Sequence, residues 1–187
     1  LKGRKRVGSG TGVHSSRMIS SDMVGREEGL RQLEKQFMQL INGRGSVVSI
    51  TGIAGIGKSR LMAEMREKEL MSKVILLEGR ALSNGRDLSF HPIVQIIKSW
   101  AGIKEDDPAD DALSKLQRGI HRVYPEAFDE IFPFVATMMG FRLEGKAKER
   151  VKGIEGEALE NLILKNLRDL LSRAASIRPA VIVIEDA

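Results

Sequence analysis

The sequence contains no cysteine, few aromatic residues and no long apolar run. Without cysteine among its 187 residues, disulfides, zinc–thiolate sites, thiol nucleophiles and iron–sulfur clusters are excluded. The three histidines, His14, His91 and His121, are too scattered to give a metal-ligand spacing. No apolar run approaches the roughly 18 residues of a membrane span, and the basic N-terminal segment has no apolar signal core. We therefore expect a cytoplasmic protein with no membrane partner.

What remains is the composition of a folded globular chain. Hydrophobic residues make up 42% of the sequence, charged residues 29% and aromatic residues 4%, which is not the balance of a disordered or fibrous protein. A length of 187 residues is enough for one α/β domain with its own core and too short for two. We expect a basic flexible linker at residues 1–22 and one principal domain at residues 23–187.

The net charge of +5 is concentrated near the N-terminus. Residues 1–22 hold a net +4, so the rest of the chain is nearly neutral. The charged residues of this segment are Lys2, Arg4, Lys5, Arg6, Arg17 and Asp22. A basic segment that is rich in glycine and serine and poor in apolar residues is typical of a solvated linker rather than a binding arm. We therefore do not expect nucleic acid to be a partner of this domain.

The first half of the domain shows a helix, a strand, a glycine loop and a second helix. Residues 23–28 begin a stretch in which apolar residues recur at spacings of three and four up to Ile41, which predicts a helix that ends at residues 43–45. Residues 46–51 are short, apolar and β-branched and predict a buried strand. Residues 58–70 have the composition of a helix. A glycine loop at residues 52–57 lies between this predicted strand and the predicted second helix.

Two further apolar runs predict strands of a parallel sheet. The run at 73–78 should end at Gly79 and Arg80, and the run at 180–184 ends in Glu185 and Asp186. Both runs lack alternation, which is typical of strands covered by helices on both faces. A long helical section lies between them, broken by Pro92, Pro125, Pro133 and the acidic segment 105–111. A last helix is predicted at roughly 156–176, with its apolar stripe in the core.

Two features of the helical section allow a functional and a structural interpretation. The acidic segment 105–111 could imitate a metal site, but its Asp107-Pro108 step favours a loop and a helix start, where acids suit the helix dipole. Several large apolar side chains could line a cofactor pocket, although such spacing is more typical of packing. They are Phe132, Phe134, Met138, Met139 and Phe141.

The glycine loop has the residues that a triphosphate site requires. Triphosphate carries dense negative charge and needs many donors with no bulky side chain in the way. Glycines at 52, 55 and 57 let the backbone wrap closely around phosphates, while the following helix presents its positive end. In this pattern Lys58 contacts the β- and γ-phosphates and the Ser59 hydroxyl is a magnesium ligand. The predicted nucleotide-binding residues of the loop are Gly52, Ile53, Ala54, Gly55, Ile56, Gly57, Lys58, Ser59 and Arg60.

A magnesium-bound triphosphate also needs an acid at the end of a neighbouring strand. Glu185 and Asp186 follow four apolar residues and are the candidates to hold the metal and to position an attacking water. Which of them performs which task is left open. We name Lys58, Glu185 and Asp186 as the catalytic candidates, and Ser59, Glu185 and Asp186 as the metal ligands.

At this point the chain resembles a known family. The ordered pattern is Met23 to Glu28, Gly52 to Leu61, Glu78-Gly-Arg80, Phe90-His-Pro92 and Arg178 to Asp186. It resembles the AAA-type ATPase module of signal-transduction ATPases with numerous domains. The form it is most similar to is found in large bacterial regulators and beside class III adenylate/guanylate cyclase domains. The resemblance covers about residues 23–187.

The resemblance implies a P-loop NTPase fold of the ASCE/AAA-like type and a nucleotide switch. The fold would be a parallel sheet with flanking helices and a helical section between its second strand and the Walker B strand at residues 180–184. ATP or GTP with Mg²⁺ would be bound and hydrolysed slowly. The resemblance places Val24, Gly25 and Arg26 near the base and ribose. Other domains of the same polypeptide and protein partners would receive the signal.

Two departures from the family pattern matter. The first acid after the third strand is Glu185, where P-loop proteins usually have aspartate. The family also continues beyond the Walker B strand with a sensor strand, a further strand and a helical lid. We therefore expect this chain to be incomplete at its C-terminus and to bind nucleotide, with turnover by the fragment left open. Two alternatives stay open: a nucleotide-gated protein-binding module with negligible hydrolysis, and a DNA-associated AAA-type loader.

Overall fold

The computed structural model describes residues 27–81 and 90–186, and only the backbone of Asp186. Within these ranges the structure has seven helices and a small two-stranded sheet. The helices are α1 (Glu27–Ile41), α2 (Lys58–Arg66), α3 (His91–Ala101), α4 (Ala109–Val123), α5 (Phe128–Met138), α6 (Gly145–Val151) and α7 (Gly156–Ile177). The strands are β1 (Ile75–Ala81) and β2 (Ala180–Asp186), and 3₁₀ turns cover Glu69–Lys73 and Pro125–Ala127. The predicted linker at 1–22 lies outside the described residues.

The two strands form a parallel ladder, as their apolar runs predicted. The ladder pairs Ile75 with Ala180 and continues in register to Ala81 and Asp186. It begins where the Ile75 N–H donates to the Pro179 carbonyl at 2.8 Å. Because parallel strands share a direction, the carboxyl ends of β1 and β2 lie at the same edge of the sheet. This is the edge where ligands of open α/β sheets bind.

One face of the sheet packs against the first two helices. Val181 and Val183 of β2 lie against a cluster that α1, α2 and the residue before β1 contribute, in which Met65 is fully buried. The buried members of the cluster are Leu33, Phe37, Leu61, Met62, Met65 and Val74. Side chains alternate along a strand, so Glu185 lies on the same face as Val181 and Val183. The helix that follows the glycine loop therefore covers the face that carries Glu185.

The helical section has a larger core of its own. Leu116, Ile120, Val135 and Leu170 are fully buried there, and α5 packs against both α6 and α7. The predicted stripe of the last helix is confirmed, since Ile163, Leu167, Leu170 and Ala174 are buried. The aromatic and methionine side chains considered above for a cofactor pocket also belong to this core: Phe132 and Phe134 are buried, and Met138, Met139 and Phe141 pack against it. The packing interpretation is confirmed.

The acidic segment is a loop that leads into α4. Asp107 accepts the backbone N–H of Lys104 at 2.7 Å and the ammonium of Lys115 at 2.5 Å. The hydrogen bond from Lys115 and then that from Lys104 lower the pKa of Asp107. The prediction of a loop and a helix start is confirmed, because α4 begins at Ala109 after Pro108. No helix among the described residues has the length and apolarity to cross a membrane.

The predicted strand at residues 46–51 is wrong for this structure. The segment has no ladder partner, and Val47 is 99% exposed. A strand is stabilised by its neighbours, because unpaired backbone groups and unpacked β-branched side chains gain nothing from the extended form. Only β1 and β2 pair in the described residues, and the apolar segment is left beside them without a ladder. The composition of residues 46–51 favoured a strand, but a strand also needs a neighbouring strand to pair with.

Other element boundaries also differ from the predictions. α2 ends at Arg66 rather than at residue 70. Pro133 lies inside α5 and does not break it. Proline has no N–H to donate to the carbonyl of Asp129, four residues earlier. Asp129 is exposed in the first turn of α5, which limits the loss of stability. Pro92 and Pro125 instead stand at helix starts, where proline is tolerated.

The predicted end of β1 at Gly79 and Arg80 is wrong as well, because the strand continues to Ala81. Gly79 does not form a turn but lies in close contact with the start of α3. A Cβ atom at Gly79 would lie 2.5 Å from the Pro92 carbonyl oxygen and 3.1 Å from its carbon. The absence of a side chain therefore lets the start of α3 lie directly on the carboxyl end of β1.

This contact predicts that Gly79→Ala destabilises the fold. The new methyl group would clash with backbone that cannot move alone, and we expect a loss of about 1–3 kcal/mol in the free energy of unfolding, measured by urea denaturation. Gly29→Ala in α1 is the matched control, because a Cβ there meets only Leu61 at 3.7 Å. Alanine should stabilise that helix by up to about 1 kcal/mol. Equal effects at both sites would contradict the close-contact account.

Candidate functional site

The glycine loop leads directly into the N-terminus of α2. Gly55 has φ 76° and Gly57 has φ 96°, a left-handed region that other residues rarely adopt. Gly57 is the N-cap of α2, and no side chain caps that end. The first N–H groups of a helix have no partner within the helix, and they carry the positive end of its dipole. The loop therefore holds an uncapped helix end that suits an anion.

Lys58 is folded back over the loop. Its Nζ donates to the carbonyl oxygens of Gly52 at 2.8 Å and Ile53 at 3.2 Å. Gly52 and Ile53 open the loop, so these two contacts hold the ammonium against its first residues. An ammonium group has three donors and no acceptor capacity. Lys58 is thus held where its positive charge adds to that of the helix end.

Ser59 and Arg60 continue the site along the first turn of α2. Ser59 is exposed, so its hydroxyl is accessible to a ligand bound in the loop. Arg60 lies 3.6 Å from Glu64 one turn later, measured from Nη2 to Oε1. A hydroxyl next to a phosphate-binding lysine gives the oxygen ligand that magnesium prefers.

Glu185 lies at the carboxyl end of β2, on the face that α2 covers. Its side chain is about one-third exposed (32%), and its Oε2 lies 3.7 Å from Nε of Arg80 on β1. The parallel register brings the two residues opposite each other. The fold therefore brings an acid at a strand end and the helix that follows the glycine loop to one side of the sheet. For Asp186 the structure gives the strand position only.

Two neighbouring residues gain a role from the structure that the sequence did not suggest. Arg80 faces Glu185, and Glu78 of the same strand accepts the guanidinium of Arg66, with Nε of Arg66 at 3.1 Å. The second pair ties α2 to β1. Sequence spacing gave no signal for either pair, since the partners meet only through strand register and helix packing.

A cleft of about 420 Å³ opens beside these ion pairs. Glu78, Arg80 and Glu185 contribute to its lining, and Gln95 of α3 forms part of the opposite wall. A larger cavity of about 730 Å³ lies among α4, α5 and α6, away from the glycine loop. The size of that cavity does not make it the reactive site, because none of the candidate residues lines it. The segment Val24-Gly25-Arg26 lies outside the described residues.

Three features together define a P-loop NTPase. They are a glycine loop that ends in lysine and serine, an uncapped helix after the loop, and an acid at the end of a parallel strand. Residues 22–187 match the model of the AAA ATPase domain, and the chain belongs to this family. It is therefore an AAA-type P-loop ATPase module, a class whose members bind nucleotide.

One curated relative is an uncharacterized protein of Rhizobium meliloti (strain 1021). It is 29% identical over 172 residues, which cover 90% of this chain and 16% of the relative. The chain thus spans about a sixth of the length of that protein. No solved structure matches the chain.

Proposed function

We propose that this chain binds ATP or GTP together with Mg²⁺ at the glycine loop, as the nucleotide switch of a larger regulatory protein. The observation that carries the proposal is the arrangement of Lys58. Its ammonium is held on the Gly52 and Ile53 carbonyls beside the uncapped N-terminus of α2. When a triphosphate enters, its oxygens can take over the donors of Lys58 and of the loop backbone at once.

Each residue of the proposed site has a distinct task. The backbone N–H groups of residues 52–57 surround the phosphates, and Lys58 neutralises the β- and γ-phosphates. Ser59 and the acids at 185 and 186 supply hydroxyl and carboxylate oxygens, which fit Mg²⁺. When bound, Mg²⁺ would neutralise developing phosphate charge. Arg60 flanks the phosphates, and Val24, Gly25 and Arg26 would border the base and ribose.

The acids would complete the chemistry by electrostatic positioning. One of Glu185 and Asp186 holds the metal, and the other orients a water molecule toward the γ-phosphate. The Arg80 guanidinium opposite Glu185 helps to orient that carboxylate. Glu185 also lies on the sheet face that α2 covers, which supports it as the metal acid.

The biological role that we propose is a signalling switch in a multidomain bacterial protein, with cyclase domains as neighbours. Two observations support this proposal. The ordered motifs resemble signalling ATPases with numerous domains, and the relative in Rhizobium meliloti is about six times as long as the matched region. The partners would then be other domains of the same polypeptide and the proteins that they contact.

The second candidate function is a nucleotide-gated binding module without turnover. Glutamate in place of the usual first aspartate favours it, since the longer side chain changes how the metal and water are held. Single-turnover release of phosphate from radiolabelled ATP separates the two functions, with Lys58→Ala as the control. Release above the Lys58→Ala rate supports a hydrolase. Tight binding by the wild type with no release above that rate supports the gated module.

A further inference from the structure

The first turns of α3 contact the carboxyl end of β1 at two points. The Pro92 carbonyl lies against Gly79, as described above. One turn later, the Gln95 side chain accepts the backbone N–H of Arg80 at 2.7 Å through Oε1. Among the described residues β1 has a strand neighbour on one side only, so Gln95 satisfies a backbone donor on the other side. The end of the strand is thereby held beside Glu185, the ladder partner of Arg80.

The orientation of the Gln95 amide follows from this contact. A backbone N–H can only donate, so Gln95 must present its oxygen to Arg80. Its NH₂ group therefore faces His91, whose Nε2 lies 3.0 Å away. An NH₂ group is a donor, and His91 Nε2 must be the acceptor. The contact thus requires a neutral His91 that carries its single proton on Nδ1.

Protonation of His91 conflicts with this arrangement. An imidazolium carries protons on both nitrogens, which would set Nε2–H against the NH₂ group of Gln95. Turning the Gln95 amide over relieves that conflict, but the NH₂ group then faces the Arg80 N–H. One of the two hydrogen bonds is lost either way, so the contact depends on the charge of His91.

We propose that Gln95 is a positioning residue for Glu185, acting through the backbone of Arg80, and that it does so only while His91 is neutral. This inference rests on the proposed function, because Glu185 is taken as an acid of the magnesium–nucleotide site. The predicted consequence is a proton-sensitive site. As pH falls and His91 gains its proton, Gln95 releases Arg80 and Mg²⁺–nucleotide binding weakens.

Among the described residues that line the cleft with Gln95, the charged side chains are not histidines. Three cationic and three anionic side chains share the cleft with it: Arg66, Glu78, Arg80, Lys98, Glu105 and Glu185. Carboxylic acids, lysine and arginine ordinarily change charge outside the range from about pH 5.5 to 8, whereas histidine changes charge within it. A transition in that range that is absent from the His91→Ala variant is therefore assigned to His91.

The first test reads the His91 tautomer by ¹⁵N NMR at about pH 8, without nucleotide. His91→Ala assigns the resonance among the three histidines. The wild type should carry the proton on Nδ1. In Gln95→Glu one carboxylate oxygen can accept from Arg80 and the other from His91, so the proton should move to Nε2. A wild-type proton on Nε2 would overturn the proposal.

The second test compares the affinity for Mg²⁺–ATP at about pH 5.5 and about pH 8. ATP itself titrates in this range, so each affinity ratio is divided by that of His91→Ala. From about pH 8 to about pH 5.5, the normalised affinity of the wild type should fall roughly three- to tenfold. A loss of this size is expected when one hydrogen bond is broken. Gln95→Glu should show no such fall. Gln95→Met should bind roughly three- to tenfold more weakly than the wild type already at about pH 8.

A wild-type ratio equal to that of His91→Ala would overturn the role of His91, and normal binding by Gln95→Met would overturn the role of Gln95. The failure of the proposed function has a different signature. In that case the wild type binds ATP no better than Lys58→Ala at any pH, while the tautomer result is unaffected.

Discussion

Replacing Lys58 with alanine should lower the affinity for Mg²⁺–ATP by roughly 100-fold. The ammonium has up to three donors, of which two contact the Gly52 and Ile53 carbonyls. On binding they would contact the β- and γ-phosphates. Two hydrogen bonds to charged oxygens at about 1.5 kcal/mol each give about 3 kcal/mol, and each 1.4 kcal/mol is a factor of ten. Isothermal titration calorimetry measures the loss.

The fold should tolerate this change. Within the described part of the chain, the hydrogen bonds of Lys58 go to backbone of its own loop, so the circular dichroism melting curve should stay close to that of the wild type. Lys148→Ala is the matched control, because Lys148 is exposed on α6 and the same charge is removed. If both variants lost affinity equally, net charge and not the loop would explain the binding.

Removing the acids at the end of β2 should have the second largest effect. We expect Glu185→Gln to raise the Mg²⁺ concentration needed for half-maximal ATP binding roughly tenfold, since a charge-assisted metal contact is lost. Asp186→Asn should leave that requirement nearly unchanged and slow single-turnover hydrolysis roughly 100-fold or more, as expected for a residue that orients water. A Mg²⁺ titration of binding and a phosphate-release assay separate the two roles.

Glu105→Gln is the control for this pair, because Glu105 lines the same cleft but lies in a loop away from the strand end. It should change neither quantity. The ion pair between Glu185 and Arg80 is long and its Arg80 side chain is exposed, so its loss should cost little stability. If Asp186→Asn changed the Mg²⁺ requirement and Glu185→Gln changed only the hydrolysis rate, the assignment of the two acids would be reversed.

The glycine loop and the helices could be predicted because their signals are local. Gly55 and Gly57 are needed for their backbone angles, and the helix after them starts at Lys58 as expected. Apolar residues at spacings of three and four gave α7 nearly to the residue, and they predicted α1, which ends at Ile41 just before the expected end at 43–45. Each of these elements is stabilised by contacts along its own sequence and by one continuous apolar face.

The sheet was harder to predict because strands depend on partners far along the chain. The apolar composition of residues 46–51 suggested a strand that finds no ladder in the structure, whereas β1 continued through Gly79 because α3 packs on it. The contacts around Glu185 were also hidden from the sequence. Arg80 and Gln95 come from a neighbouring strand and a helix, and only register and packing bring them to the site.

The central claim is tested most directly by equilibrium binding of a fluorescent ATP analogue in the presence of Mg²⁺, with unlabelled competitors. We expect ATP to displace the analogue far better than AMP or adenosine, because the glycine loop and Lys58 recognise the phosphates and not the base alone. Lys58→Ala should abolish this preference. Equal displacement by ATP and adenosine, or equal retention of the analogue by the wild type and Lys58→Ala, would contradict the account.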